Sequence, residues 1–259
     1  STDVADGLSS GVIRIYGNQK AFAALKDDGS VVTWGNARGG GSSSSVSNQI
    51  SADVIDIYTT HEAFAALKLD GSVITWGVRD YGGMIGSVGT DLDIGVKDVC
   101  AAEFAFAALK EDGSVISWGW PQFGGNSSSV ADKISSGVVQ LFCNRRAFAA
   151  LKEDGSVVTW GSVTSGGSSN LVSEELSSGV IDIIPGVYNA FAALKGDGSV
   201  VTWGSAAQGG DSSSVKDQIS SSVVRVFSNS AAFAALKEDG SVVTWGSQVD
   251  GGDSSKVAE

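Results

Sequence analysis

Hydrophobic residues along the chain come in short runs separated by stretches of glycine, serine and aspartate. A run such as Val223 to Phe227 is followed by the string AFAALK, then by an Asp-Gly pair, then by a run of the type Ser-Val-Val-Thr-Trp-Gly. These runs are short and rich in Val, Ile, Phe and Trp, so they predict strands, not helices. Asp-Gly between two of them predicts a tight hairpin with a type I′ turn, because glycine adopts positive φ without strain. AFAALK is apolar on both faces: Ala21, Ala23 and Leu25 alternate with Phe22 and Ala24. That pattern predicts a strand packed from both sides, with alanines small enough for neighbouring sheets to approach closely.

The pattern repeats. AFAALK begins at Ala21, Ala63, Ala105, Ala147, Ala190 and Ala232, a spacing of 42 residues broken once by 43. Each copy is followed by Asp-Gly (Asp28, Asp70, Asp112, Asp154, Asp197, Asp239), by Trp-Gly (Trp34, Trp76, Trp118, Trp160, Trp203, Trp245) and by a double glycine. Self-similarity at such a period is the signature of a repeat architecture. Sheets sandwiched between like sheets six times over are satisfied by a six-bladed all-β propeller occupying residues 1–259 as one domain. The serine-rich remainder of each unit, Asp211 to Ser222 for example, is expected to form a short outer strand or a turn of helix. Residues Ser1 to Gly11 (STDVADGLSSG) match the connector Ser127 to Gly137 (SSSVADKISSG), while the chain stops early in its own connector at Glu259. The N-terminal segment is therefore expected to complete the last blade and close the ring. An excerpt from a longer array is the alternative.

The unit Val223-Val224-Arg225-Val226, Ala235-Leu236, Asp239-Gly240, Val242, Trp245-Gly246, Gly251-Gly252 resembles the RCC1-like repeat, and the resemblance covers all six units. The Gly-His and Trp-Asp marks of WD40 repeats are absent, and kelch repeats fit worse. The chain departs from the family pattern in replacing a histidine before Ala-Leu by alanine, in keeping the glycine-rich turn loosely (best at Gly83-Met84-Ile85-Gly86), and in having six units where founding members have seven blades. The family includes a nucleotide-exchange factor for a small GTPase that docks on chromatin, but no exchange-loop insert or basic tail is seen here. Another branch senses ultraviolet light through clustered tryptophans, whereas this chain has one per unit plus Trp120. Neither activity carries over from the resemblance.

A net charge of -12 repels phosphate backbones and anionic lipid surfaces, which argues against nucleic acid as a partner. No apolar run approaches the roughly 20 residues of a membrane span, and Ser1 to Ser10 has no signal pattern, so the chain reads as soluble and an intracellular place is favoured. Cys100 and Cys143 occupy non-equivalent positions in successive repeats and are expected to be buried thiols, compatible with a reducing compartment.

Little in the sequence points to catalysis, a metal or a cofactor. The repeated tryptophans are expected in the core. The Asp-Gly pairs lack the ligand spacing of a calcium loop and are expected to be turn residues. Lys26, Lys68, Lys110, Lys152, Lys195 and Lys237 could form an anion site, but acidic neighbours point instead to a solvated, salt-bridged rim. His61, the only histidine, holds a turn position and is expected at the surface. No nucleophile elbow, phosphate loop or His/Cys cluster stands out, and the serines have no partner base.

Where the copies disagree is informative. If the strands alternate in direction, the loops before AFAALK and after Trp-Gly share one face, and the near-identical Asp-Gly turns share the other. The first face varies, with His61-Glu62, Glu103-Phe104, Arg145-Arg146, Tyr188-Asn189, Arg79-Asp80-Tyr81 and Trp120-Pro121-Gln122-Phe123. Aromatics and arginines in loops on a rigid scaffold anchor protein interfaces. The expected function is a non-catalytic binding scaffold for a protein, with Arg79, Tyr81, Trp120, Phe123, Arg145, Arg146 and Tyr188 as the contact patch. The alternatives are a glycan-binding propeller, which calls for an exposed aromatic in every unit, and a structural subunit of a larger assembly. An enzyme with an axial site would need convergent polar residues that the sequence does not reveal.

Overall fold

The computed structural model describes residues 2–255, and each of the six repeats folds as a separate three-stranded antiparallel sheet with its strands in chain order. In the second blade these are Val54–Thr59, Ala63–Lys68 and Val73–Gly77. The chain divides into two compact units, residues 1–126 with blades one to three and residues 127–259 with blades four to six.

Register within a blade follows from the repeat. Phe64 pairs directly with Trp76 across the second and third strands, and their rings stack at 5.2 Å. The equivalent Phe–Trp pairs of all six blades lie between 5.2 and 5.5 Å. The other side of AFAALK meets the next blade, as its two-faced pattern predicts. In the first unit, Ala63, Ala65 and Leu67 of blade two pack against Phe106, Ala108 and Trp118 of blade three, with Leu92 of the connector sealing the layer. Ile50 seals the layer between blades one and two. In the second unit Leu176 and Ile219 do the same for blades four and five and blades five and six. Truncating one of these buried rings to alanine costs about 3 to 5 kcal/mol.

A polar latch crosses each of these layers. The Trp118 indole N–H donates to the carbonyl of Gly82, at the end of the preceding blade's post-Trp-Gly loop, at 3.1 Å. Trp76 uses Gly40, Trp203 uses Gly166 and Trp245 uses Gly209, each at 3.0 Å. A Cβ at Gly82 would sit 2.5 Å from Cδ2 of Phe106, and its φ of +95° is left-handed. Glycine is required there twice over, by contact and by conformation.

Several expectations are corrected. The Asp-Gly hairpins are not two-residue type I′ turns. Gly29 N donates to Lys26 O and Lys26 N to Ser30 O, while Gly29 alone of the turn residues has positive φ. This is a three-residue loop, a type I turn followed by a left-handed glycine. Asp28 Oδ1 completes it by accepting from the Ser30 amide at 2.9 Å and the Ser30 hydroxyl at 2.6 Å. The lysines do not form a salt-bridged rim: Lys110, Lys152, Lys195 and Lys237 donate to connector carbonyls of Asp91, Lys133, Glu175 and Gln218 at 2.7–2.9 Å.

The connectors settle as 3-10 turns, Gly86–Leu92 and Ser213–Ile219 among them, and add no fourth strand. The N-terminal segment packs on a blade of its own unit. Its residues Thr2–Gly7 form a short helix against the third strand of blade one, and blade six is built wholly from residues 223–246. Neither cysteine is a free thiol; Cys100 and Cys143 are both disulfide-bonded. Disulfides persist in oxidising surroundings, so the cysteines no longer argue for a reducing compartment. Among the described residues, no helix is long and apolar enough to cross a membrane.

Two expected outcomes follow from the latch and the turns. Gly82→Ala, which adds both a clash and left-handed strain, should lower unfolding free energy by about 2 to 5 kcal/mol. Gly240→Ala, also left-handed but with nothing within 4 Å of the new Cβ, should cost only backbone strain, about 1 to 2 kcal/mol; urea denaturation compares the two. The serine hydroxyl and then the serine amide hold Asp28, Asp70, Asp112, Asp154, Asp197 and Asp239 below the usual carboxylate value of 3.8. A lowered folded-state value means stability that is complete above pH 4 or so and is lost as pH falls through the lowered values. Melting temperature should therefore drop on acidification below about pH 4, and replacing all six by Asn, which keeps an acceptor but does not titrate, should flatten that limb.

Candidate functional site

The latch fixes the backbone just before its glycine, and so places whatever side chain precedes it. In blade two that residue is Tyr81, whose carbonyl also accepts from Thr60 Oγ1 at 2.8 Å. Its ring stacks on Trp120 of blade three at 5.7 Å and packs against Phe104 at 4.8 Å. Trp120 is tied to Phe104 through the backbone, its N–H donating to the Phe104 carbonyl at 2.9 Å. Pro121–Phe123 forms a single 3-10 turn with Pro121 at its first position, where a missing N–H costs nothing, and it brings Phe123 back against Phe104 at 5.3 Å and Trp120 at 5.8 Å. His61 N donates to Glu103 O at 2.7 Å, setting the imidazole 5.3 Å from Phe104 and 6.0 Å from Tyr81.

Five rings from the loops of two adjacent blades thus form one cluster, all of them half-buried. His61 is not the surface residue its turn position suggests. Its Nδ1 is buried without a hydrogen-bond partner, and the nearest carboxylate oxygen, Glu62 Oε1, lies 3.5 Å away. Exposed Asp80 and Arg79 stand on the rim beside Tyr81. Tyr81, Trp120 and Phe123 of the expected patch are brought together; Arg79 is beside them but touches none of their rings.

In the second unit, Arg145 lies over the Tyr188 ring at 5.6 Å. Arg146 is half-buried, and its carbonyl accepts from Ser162 N at 2.9 Å. The place that corresponds to Tyr81 and Phe104 is polar here: Ser165 Oγ donates to Asn189 Oδ1 at 2.8 Å, and Asn189 Nδ2 to Gln208 Oε1 at 2.7 Å. The same fold position is satisfied by rings in one unit and by hydrogen bonds in the other.

Sequence reasoning passed over Phe104 and His61 as members of the cluster, and over Asn18, Asn144 and Asn229. Each of these asparagines accepts at Oδ1 from the two amides that open the AFAALK strand and donates from Nδ2 to the post-Trp-Gly loop, at 2.6–3.0 Å. They tie the two variable loops of a blade together. Recurrence of Asn at one repeat position in three units was the signal. Polar side chains do meet on the first strands, where Tyr16 donates to Asp56 beside Arg14, and burial and neighbouring Asp98 and Asp56 push Tyr58 well above an ordinary tyrosine. These are rungs between blades, and their tyrosines stay protonated. Among the described residues, no group of three or more His, Cys, Asp or Glu could hold a metal. A groove of about 690 Å³ opens elsewhere, at the outer side of blade five, between the connectors that carry Leu171 and Lys216. Serine and valine are the commonest residues in its wall.

No protein-family model matches the sequence, and no curated protein matches it either. Solved structures do. Human WBSCR16 is similar at 19% identity and a TM-score of 0.50, over 88% of this chain and 72% of that one. Prp20p from Saccharomyces cerevisiae is similar at 16% identity and a TM-score of 0.50, over 91% and 72%. Yeast RCC1 (Prp20) solved with Kap60 gives 17% identity and a TM-score of 0.51, over 91% and 70%. Six copies of the Ala-Leu, Asp-Gly and Trp-Gly repeat, each folded as a three-stranded blade, together with these likenesses, give the chain the fold of RCC1-like β-propellers.

Proposed function

We propose that the chain is a non-catalytic binding scaffold that takes a protein partner on its variable loops, with Tyr81, Phe104, Trp120, Phe123 and His61 of the first unit, beside Arg79, as the anchor, and Arg145, Arg146 and Tyr188 as the contacts offered by the second unit. One observation carries this reading. The position occupied by the rings is filled in blades four and five by the Ser165–Asn189–Gln208 hydrogen bonds, so the fold does not require aromatics there. Half-buried rings held by backbone bonds lose little freedom on binding and supply large contact areas, which is how interface hot spots are built. Glu62 and Asp80 with Arg79 give the patch a border of both signs, which sets the orientation of a partner that covers the rings.

Structures of similar fold are consistent with such a role: Prp20p is described with binding to Gsp1p and histones, and in complex with Kap60. The glycan alternative needs one open ring per blade, whereas the loop rings lie in blades two and three, with Tyr188 in blade five. A catalytic role would need a base open to substrate, and His61 is enclosed by rings instead.

The test is affinity capture followed by titration of the purified partner against wild type, Trp120→Ala, Phe123→Ala and Arg145→Ala/Arg146→Ala. Because the rings pack on one another, Trp120→Ala should lower stability by about 1 kcal/mol yet remain folded. Binding should weaken by about 2 kcal/mol or more with each ring variant. Leu69→Ser, at an exposed Asp-Gly turn at the other end of blade two's strands, should bind as wild type. Equal affinity for all ring variants would refute the assignment.

A further inference from the structure

The groove at the outer side of blade five lies wholly within the second unit and has no part in the ring cluster. Its floor is the outer edge of that blade's third strand, Val200–Gly204. Register decides which backbone groups face it. Lys195 N donates to Ser199 O at 2.9 Å and Ser205 N to Asn189 O at 2.7 Å. The pairs that exchange backbone bonds between these two points are therefore Ala193 with Val201 and Phe191 with Trp203. Val200, Thr202 and Gly204 turn their backbone groups the other way, into the groove. In blade four the corresponding edge is closed at its start, where Val157 N donates to the connector carbonyl of Leu176 at 3.0 Å. Among the described residues, Val200 N makes no such bond, and no backbone group pairs with Thr202 on its outer side.

Two connectors wall this edge, one on each face of the blade. Leu176 buries the first in the layer between blades four and five, and Ile219 buries the second between blades five and six. The first wall carries Leu171, 100% exposed, and Glu175; the second carries Asp211, Ser212 and Lys216. Thr202 Oγ1 donates to Ser212 Oγ at 2.9 Å and fixes the second wall to the strand.

We propose that this groove takes an extended segment of another protein as a fourth strand of blade five, with apolar side chains toward Leu171 and a lysine or arginine toward Asp211. Propeller blades commonly have four strands, and this one has three with a walled place beside its edge. Strand addition draws affinity from backbone bonds and selectivity from alternate side chains, and the two walls differ in the way such alternation needs. Charge supports this occupant. The Ser213 amide and then its hydroxyl hold Asp211 below the usual carboxylate range, so it is ionised at neutral pH. With Glu175 it outnumbers Lys216, and the groove favours a cationic side chain.

The probe is the end-blocked heptapeptide Val-Thr-Val-Lys-Val-Thr-Val, titrated into the isotope-labelled whole chain and followed by amide hydrogen exchange. Bound peptide should slow exchange of the Val200 and Thr202 amides by about tenfold or more, and leave Val201 and Trp203, already bonded within the blade, as they were. Two further peptides, each N-methylated at one alternate set of amides, test the backbone pairing. One should bind about tenfold more weakly and the other as the parent, because only one edge of an added strand meets the blade. Leu171→Lys and Glu175→Lys, both at exposed positions, should each weaken binding about tenfold with the melting temperature unchanged. Unchanged exchange at Val200 and Thr202 at every soluble peptide concentration, or equal affinity for the two N-methylated peptides, overturns the proposal.

Discussion

The bond from a tryptophan indole to the carbonyl of a left-handed glycine in the preceding blade is the constraint on which the repeat depends. It satisfies the one polar atom of a ring otherwise buried in an apolar layer, where an unpaired N–H costs about 1 to 3 kcal/mol. It also demands the rest of the motif. The glycine must approach the Phe ring closely, so a Phe must sit opposite Trp in the second strand, as Phe106 sits opposite Trp118. The following glycine must pack on the Trp-Gly turn, where Gly83 would place a Cβ 2.5 Å from the carbonyl carbon of Gly77. Phe, Trp-Gly and Gly-Gly, scattered over a unit, are one contact.

That contact divides each unit into parts that cannot vary and parts that can. The residue just before the latch glycine is held in position by its backbone alone, so its side chain is unconstrained by the fold: Gly39, Tyr81, Phe123, Ser165, Gln208 and Asp250 occupy it in turn. At the other end of the strands, Asp28 and its counterparts use their side chains to close the turn, and only the residue before them differs from blade to blade. A rigid frame with one variable end is suited to recognition, since the loops are ordered before any partner arrives.

The strands, the two-faced AFAALK layer and the aromatic core were legible because each is written six times and depends on residue type and alternation. What was not legible depended on partners without a sequence signature. The lysines were read with their acidic neighbours, but Lys110 bonds the Asp91 carbonyl, and a carbonyl is present at every residue. The hairpin was read from Asp-Gly, but turn length is set by which flanking residues pair, and Lys26 with Ser30 leaves three residues between them, not two. Cys100 and Cys143 were judged by repeat position, whereas disulfides are decided by distance. His61 was judged by its own blade, and the rings that enclose it come in part from the next.

The same reasoning separates ornament from function on the variable face. Drift in unconstrained loops accumulates polar and small residues, since water is the default partner there and exposed rings are costly. Blades four and five show that outcome, with Ser165, Asn189 and Gln208 bonded to one another. Blades two and three do not. There, four aromatic side chains and the only histidine are gathered, backbone bonds hold His61, Phe104 and Trp120 in contact, and an imidazole nitrogen is left buried and unpaired. Apolar rings left in water are not what folding alone selects, and they fit the proposed binding role, in which a partner covers them.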